Sequence, residues 1–102
     1  MRRDDAQAEV RRIAREVPDR VFLTRHAVTR DPAAGKRPLT KPEILGVLEH
    51  GFIVEGPAPD ILLADGWKLT IRRVRDRHRL EVALVLVPRT RILVVTGYDD
   101  RL

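Results

Sequence analysis

The chain has 102 residues, 43% of them hydrophobic and 34% charged, with a net charge of +5, a composition that fits one folded domain and argues against disorder. It contains no cysteine, so disulfides, thiolate nucleophiles and cysteine-held metals are excluded. No apolar run approaches the roughly 20 residues that span a bilayer, and the opening Met1-Arg2-Arg3-Asp4-Asp5 leads into a charged stretch instead of an apolar signal core, which sets the expectation of a cytoplasmic protein without a membrane partner.

The first element is a helix over residues 4–17. Ala6, Val10, Ile13, Ala14 and Val17 fall at spacings of three and four and make one apolar stripe. Asp4 and Asp5 suit its N-terminus, Pro18 stops it, and Arg11, Arg12 and Arg15 lie on the opposite, solvated face. Val21-Phe22-Leu23 is a short apolar run, a strand or an anchor under the sheet. Thr24 then caps a short helix, 24–30, on which His26 and Arg30 are four apart and share a face. Such a pair can hold a phosphate and move a proton; a histidine packed locally accounts for the pattern equally well. Asp31–Pro38 reads as a loop with a basic Lys36-Arg37 pair. Thr40-Lys41-Pro42-Glu43 is a capping box opening a helix over 41–50, which buries Ile44, Leu45, Val47 and Leu48 and ends at Gly51. The helix dipole accounts for His50 near its end.

Residues 52–98 read as an antiparallel meander. Its strands are Phe52–Glu55, Asp60–Ala64, Trp67–Asp76, Arg79–Val87 and Arg91–Tyr98. Asp65-Gly66 marks a hairpin turn, and Asp99-Asp100 closes the last strand. Leu80–Val87 is nearly continuous in apolar residues, which suits a central strand covered on both faces. On the last strand, simple alternation puts Ile92, Val94, Thr96 and Tyr98 on one face and Leu93 and Val95 on the other. The expected fold is α+β: two to three N-terminal helices on one face of a four- to five-stranded antiparallel sheet, forming one domain over 1–102. Within 67–79, Lys68, Arg72, Arg73, Arg75, Arg77 and Arg79 face a single acidic residue, Asp76. A basic stripe of this kind is the footprint of a polyanion partner, or else a sheet edge protected by charge.

The chemistry left open is narrow. His26, His50 and His78 show no metal-ligand spacing, so no metal and no cofactor are expected. There is no phosphate loop, dinucleotide fingerprint or nucleophile elbow. Metal-free acid–base chemistry on a polyanion survives, with RNA cleavage by its own 2′-hydroxyl as the simplest case. That reaction needs a base, cations for the phosphorane charge and an acid for the leaving oxygen, and His26, the arginines and Tyr98 are suitable types. Phe52, Trp67 and Tyr98 are candidates for stacking on bases.

The stretches Phe22-Leu23-Thr24-Arg25-His26-Ala27, Leu39-Thr40-Lys41-Pro42-Glu43-Ile44, Leu48–Glu55 and Val94-Val95-Thr96-Gly97-Tyr98 are together similar, in order and spacing, to a small bacterial domain family of unknown function. That family is related in shape to RelE-like toxins and to the barnase–EndoU–colicin–RelE ribonuclease group. The resemblance covers roughly residues 20–99. It implies a RelE/barnase-like sheet and a metal-independent, toxin-like endoribonuclease restrained by an antitoxin or immunity protein. The catalytic positions it implies are His26, Arg30, Thr96 and Tyr98, with Arg37 joining Lys68, Arg73 and Arg75 of the basic stripe in binding RNA. The loop Asp31–Pro38 is longer than the family's usual connection. The other readings of the same residues are a non-catalytic module that binds nucleic acid or an acidic protein, and an oligomerisation domain whose strands pair between subunits.

Overall fold

The computed structural model of the chain describes residues 1–24 and 37–101. The short helix expected over 24–30, with His26 and Arg30, lies outside the described residues. The rest is α+β: two α-helices and a six-stranded, mostly antiparallel sheet. Helix α1 spans Arg3–Glu16 and buries Ala6, Val10, Ile13 and Ala14 of the stripe read from spacing, while Val17, expected in it, caps the helix and is exposed. A 3-10 turn over Pro18–Arg20 leads into strand β1, Val21–Leu23. Strand β2 is Arg37–Pro38, and helix α2 is Lys41–His50. Four longer strands follow: β3 Phe52–Pro59, β4 Trp67–Arg75, β5 His78–Val87 and β6 Arg91–Arg101.

The strand order is β1-β6-β5-β4-β3, with β2 also pairing β6. The apolar strand β5 is therefore central, as its composition requires. Both helices pack on one face. Val82, Leu84 and Leu86 of β5 are fully buried there with Ile13, Ile44, Leu48, Leu69, Ile71 and Ile92. The helices lie on one face, as expected, but no helix among the described residues covers the other side of β5, so the second cover expected for Leu80–Val87 is not a helix. The near-continuous apolar run arises differently: Val85, on that second face, packs where Gly66 closes the β3–β4 loop.

Five strand assignments change: Arg37–Pro38, expected in a loop, pairs β6 as β2, β3 runs past Glu55 to Pro59, and three more differ as follows. Asp60–Ala64 is a loop and not a strand. The Asp60 carboxylate accepts from the amides of Leu62 (3.1 Å) and Leu63 (2.8 Å), a local turn that outcompetes extended pairing. Ile61 and Leu62 consequently stand almost fully exposed at its tip. Strand β6 runs on through Asp99 and Asp100, expected as a turn, and Asp99 is buried on the helix side. β1 pairs β6 in parallel, Val21 opposite Ile92, an arrangement that residues 21–23 alone do not specify.

The capping box forms in full. Thr40 Oγ1 accepts from the Glu43 amide (3.4 Å), and Glu43 Oε1 accepts from the Thr40 amide (3.0 Å). Arg37 donates to both oxygens of Glu43, at 3.0 and 2.7 Å. This guanidinium, working against burial and helped by Thr40, holds the Glu43 carboxyl at about 2, below its ordinary 4.5. A depressed carboxyl stabilises the fold above its unfolded pKa, and that stabilisation drains away as pH falls through the folded value. Glu43→Gln is therefore expected to lose less stability than wild type between pH 4.5 and about 2, read by denaturant melts across that range.

The β4–β5 hairpin turns on Asp76 and Arg77, with φ of 49° and 67°. Two successive left-handed residues define the turn whose twist matches the strands. Aspartate tolerates this conformation, whereas arginine is strained in it. Arg77→Gly is expected to raise stability by about 0.5–1 kcal/mol, seen as a higher denaturant midpoint with an unchanged slope.

Candidate functional site

The polar face of the sheet is set by one irregularity. The β5–β6 register runs Ala83 opposite Thr96, then Leu84 opposite Val94, leaving Val95 as an extra residue. A bulge of this kind reverses the alternation beyond it. Ile92 and Val94 therefore point to the helices, while Thr96 and Tyr98 point away from them. The simple alternation that grouped all four is corrected here, because the register slips by one residue. Gly97 and Asp99 take the helix side instead: a Cβ on Gly97 would touch Ile44 and Leu39.

On the open face one row of residues crosses the sheet in register: Tyr98 opposite Glu81, Glu81 opposite Arg72, and Arg72 opposite Phe52. Glu81 sits at the centre, and its side chain is only 9% exposed. Arg72 Nη2 lies 3.2 Å from Glu81 Oε2, and Arg79 Nε lies 3.8 Å from the same oxygen. Arg79 also pairs with Asp100 on the neighbouring strand, which raises its pKa and fixes its charge; Tyr98 lies close enough to add to that effect. The Nε atoms of Arg72 and Arg79 are buried yet have no hydrogen-bond acceptor. Buried donors without partners are costly and uncommon. A groove of about 340 Å³ opens on the same face, lined by Glu55, Ala58, Lys68, Thr70 and Ala83 among others.

The expected RNA-binding cations are not gathered into one site: only Arg37 and Arg75 share a pocket. Lys68 is exposed on the open face, in the row with Val85 and Leu93. Arg73, opposite Leu80, lies on the helix side, with its guanidinium beside Gly46 of α2. Arg75 and Arg37 also belong to that side, where they line a pocket of about 170 Å³ with Glu43, Asp76, His78, Leu80 and Asp99. There His78 Nδ1 lies 2.7 Å from Asp99 Oδ2, and Arg37 donates to the same oxygen at 3.3 Å. The stripe that is continuous in sequence is divided by strand alternation between two faces, and half of its six members carry ion pairs: Arg72 with Glu81, Arg75 with Asp76, Arg79 with Asp100.

Of the expected catalytic residues, Thr96 and Tyr98 share the open face, and His26 and Arg30 lie outside the described residues. Glu81, Arg79 and Arg72 complete the cluster as residues that sequence reasoning did not single out for catalysis. Arg11, expected on a solvated helix face, instead donates to the Gly51 carbonyl at 3.0 Å and sits 5.0 Å from the centre of the Phe52 ring. Among the described residues no group of three or more His, Asp or Glu is placed to hold a metal, and no helix is long and apolar enough to cross a membrane. Compared with family models, curated proteins and solved structures, the chain matches none.

Proposed function

We propose that this domain is a metal-independent endoribonuclease, of the RelE/barnase-like kind, whose site is the open face of the sheet. The observation that carries the reading is Glu81, a nearly buried carboxylate flanked by Arg72 and Arg79, whose Nε donors lack acceptors. Glu81 is the base that takes the 2′-hydroxyl proton. Arg72 and Arg79 meet the charge that builds on the phosphorane oxygens, so positive charge is supplied by the chain itself. Tyr98, and Thr96 one row further along the same face, orient the phosphate. His26, the residue the family resemblance marks for proton transfer, serves as the acid for the departing 5′-oxygen. Attack of the 2′-oxygen on phosphorus breaks the bond to that oxygen, leaving a 2′,3′-cyclic phosphate and a 5′-hydroxyl. The protein works in the cytoplasm as a toxin-like enzyme, and a partner protein that covers the open face holds it in check.

The test is cleavage of a labelled RNA pool in chelator. Fragments ending in cyclic phosphate, lost in His26→Ala, support the proposal; intact RNA with the wild-type protein overturns it. The low exposure of Glu81 favours one second reading, a module of the same fold that binds RNA without cutting it. That reading predicts salt-sensitive binding and no product.

A further inference from the structure

We infer that Phe52 is a stacking station for a base of single-stranded RNA, held one strand away from the cluster at Arg72 and Glu81; this deepens the RNA reading above and rests on it. Phe52 opens the edge strand β3 directly after the cap of α2, and 65% of its surface is exposed. An aromatic side chain left in water on a small domain has lost the burial that usually fixes it. Phe52 is nonetheless held, because Arg11 reaches round the sheet edge to lie 5.0 Å from the ring centre while bonding the Gly51 carbonyl. The cation restrains the ring and adds positive charge where a nucleotide phosphate would follow.

Register sets the direction of the strand. Phe52 lies opposite Arg72, and Arg72 opposite Glu81, so the ring stands two strand spacings, about 10 Å, from the proposed base. A phosphate at Arg72 and Arg79 leaves the next nucleotide's base over Phe52. The cations near Phe52 are Arg11 at the ring and Arg72 one strand across, with Arg79 beyond it, while Lys68 lies four residues further along β4. A paired base hides both faces in the helix stack and cannot lie on the ring, so the site selects single strands.

The experiment measures binding of a short 2′-O-methyl RNA, which the cleavage chemistry cannot attack, beside its duplex and a same-length abasic strand. Wild type is expected to prefer the single strand over both. Phe52→Ala is expected to weaken the single strand about tenfold, in the range of one lost stack, and to leave the abasic strand unchanged; Phe52→Trp restores the affinity. Equal single-strand binding by wild type and Phe52→Ala overturns the inference while leaving the cleavage proposal standing. Phe52-dependent binding by a protein that never cuts RNA keeps the stacking site and removes the nuclease, and absence of any RNA binding overturns both.

Discussion

Glu81→Gln is expected to slow RNA cleavage by about 10²–10⁴-fold, the range contributed by a positioned proton acceptor. The substitution keeps the volume and one oxygen acceptor for Arg72, 3.2 Å away in the wild type, and removes the negative charge together with the ability to take a proton. A Glu81→Gln protein with wild-type rates would show that the carboxylate only holds its two arginines. Circular dichroism of the variant confirms that the fold survives.

The largest effect on stability is expected at Gly51, where the α2 C-terminus passes into β3. A Cβ there would lie 2.6 Å from the Val47 carbonyl oxygen, 2.8 Å from the Arg72 carbonyl oxygen and 2.8 Å from Ile71 Cγ2. Two of these are backbone atoms, fixed by the helix cap and the sheet, and neither can swing aside. Gly51 is also the acceptor for Gln7 and Arg11 of α1, so a shift there disturbs the docking of both helices. Gly51→Ala is expected to cost about 3 kcal/mol, the upper part of the overpacking range, and to lower Tm by roughly 15 °C. Gly46→Ala is the control. Its Cβ would meet only Arg73 Nη1, at 3.0 Å, and this flexible group can move. The helix propensity gained, about 1 kcal/mol, then makes Gly46→Ala neutral or stabilising. Equal losses in the two variants would refute the argument from close approach.

Local patterns in the chain were legible where local physics decides them. The apolar spacing of α1, the capping box at Thr40 and the central place of β5 all follow from residues close in sequence. The open-face cluster depends on register, which is harder to read. Strand alternation splits Lys68–Arg79 between two faces, and a single bulge at Val95 decides where Thr96 and Tyr98 point. One signal for Glu81 was present. With Asp76-Arg77 taken as a two-residue turn, counting back three positions from the Arg75–His78 pair places Arg72 opposite Glu81. The expected strands Trp67–Asp76 and Arg79–Val87 leave Arg77-His78 between them instead, which hides that pairing. The parallel strand β1 has no comparable signal, because its partner lies some 70 residues away.

Strand β6 accepts three neighbours: β5 along one side, and β1 and β2 along the other. Two of those three contacts join distant parts of the chain, and closing such long loops slows folding. Until residues 91–101 are available, β1 and β2 have no sheet to join and β5 is an open edge. Thr96, Tyr98 and Asp100, the partner that fixes Arg79, all arrive on that same strand. On the reading proposed above, a chain that has not yet paired β6 lacks half of its working face, so a partly made chain would leave the RNA around it intact.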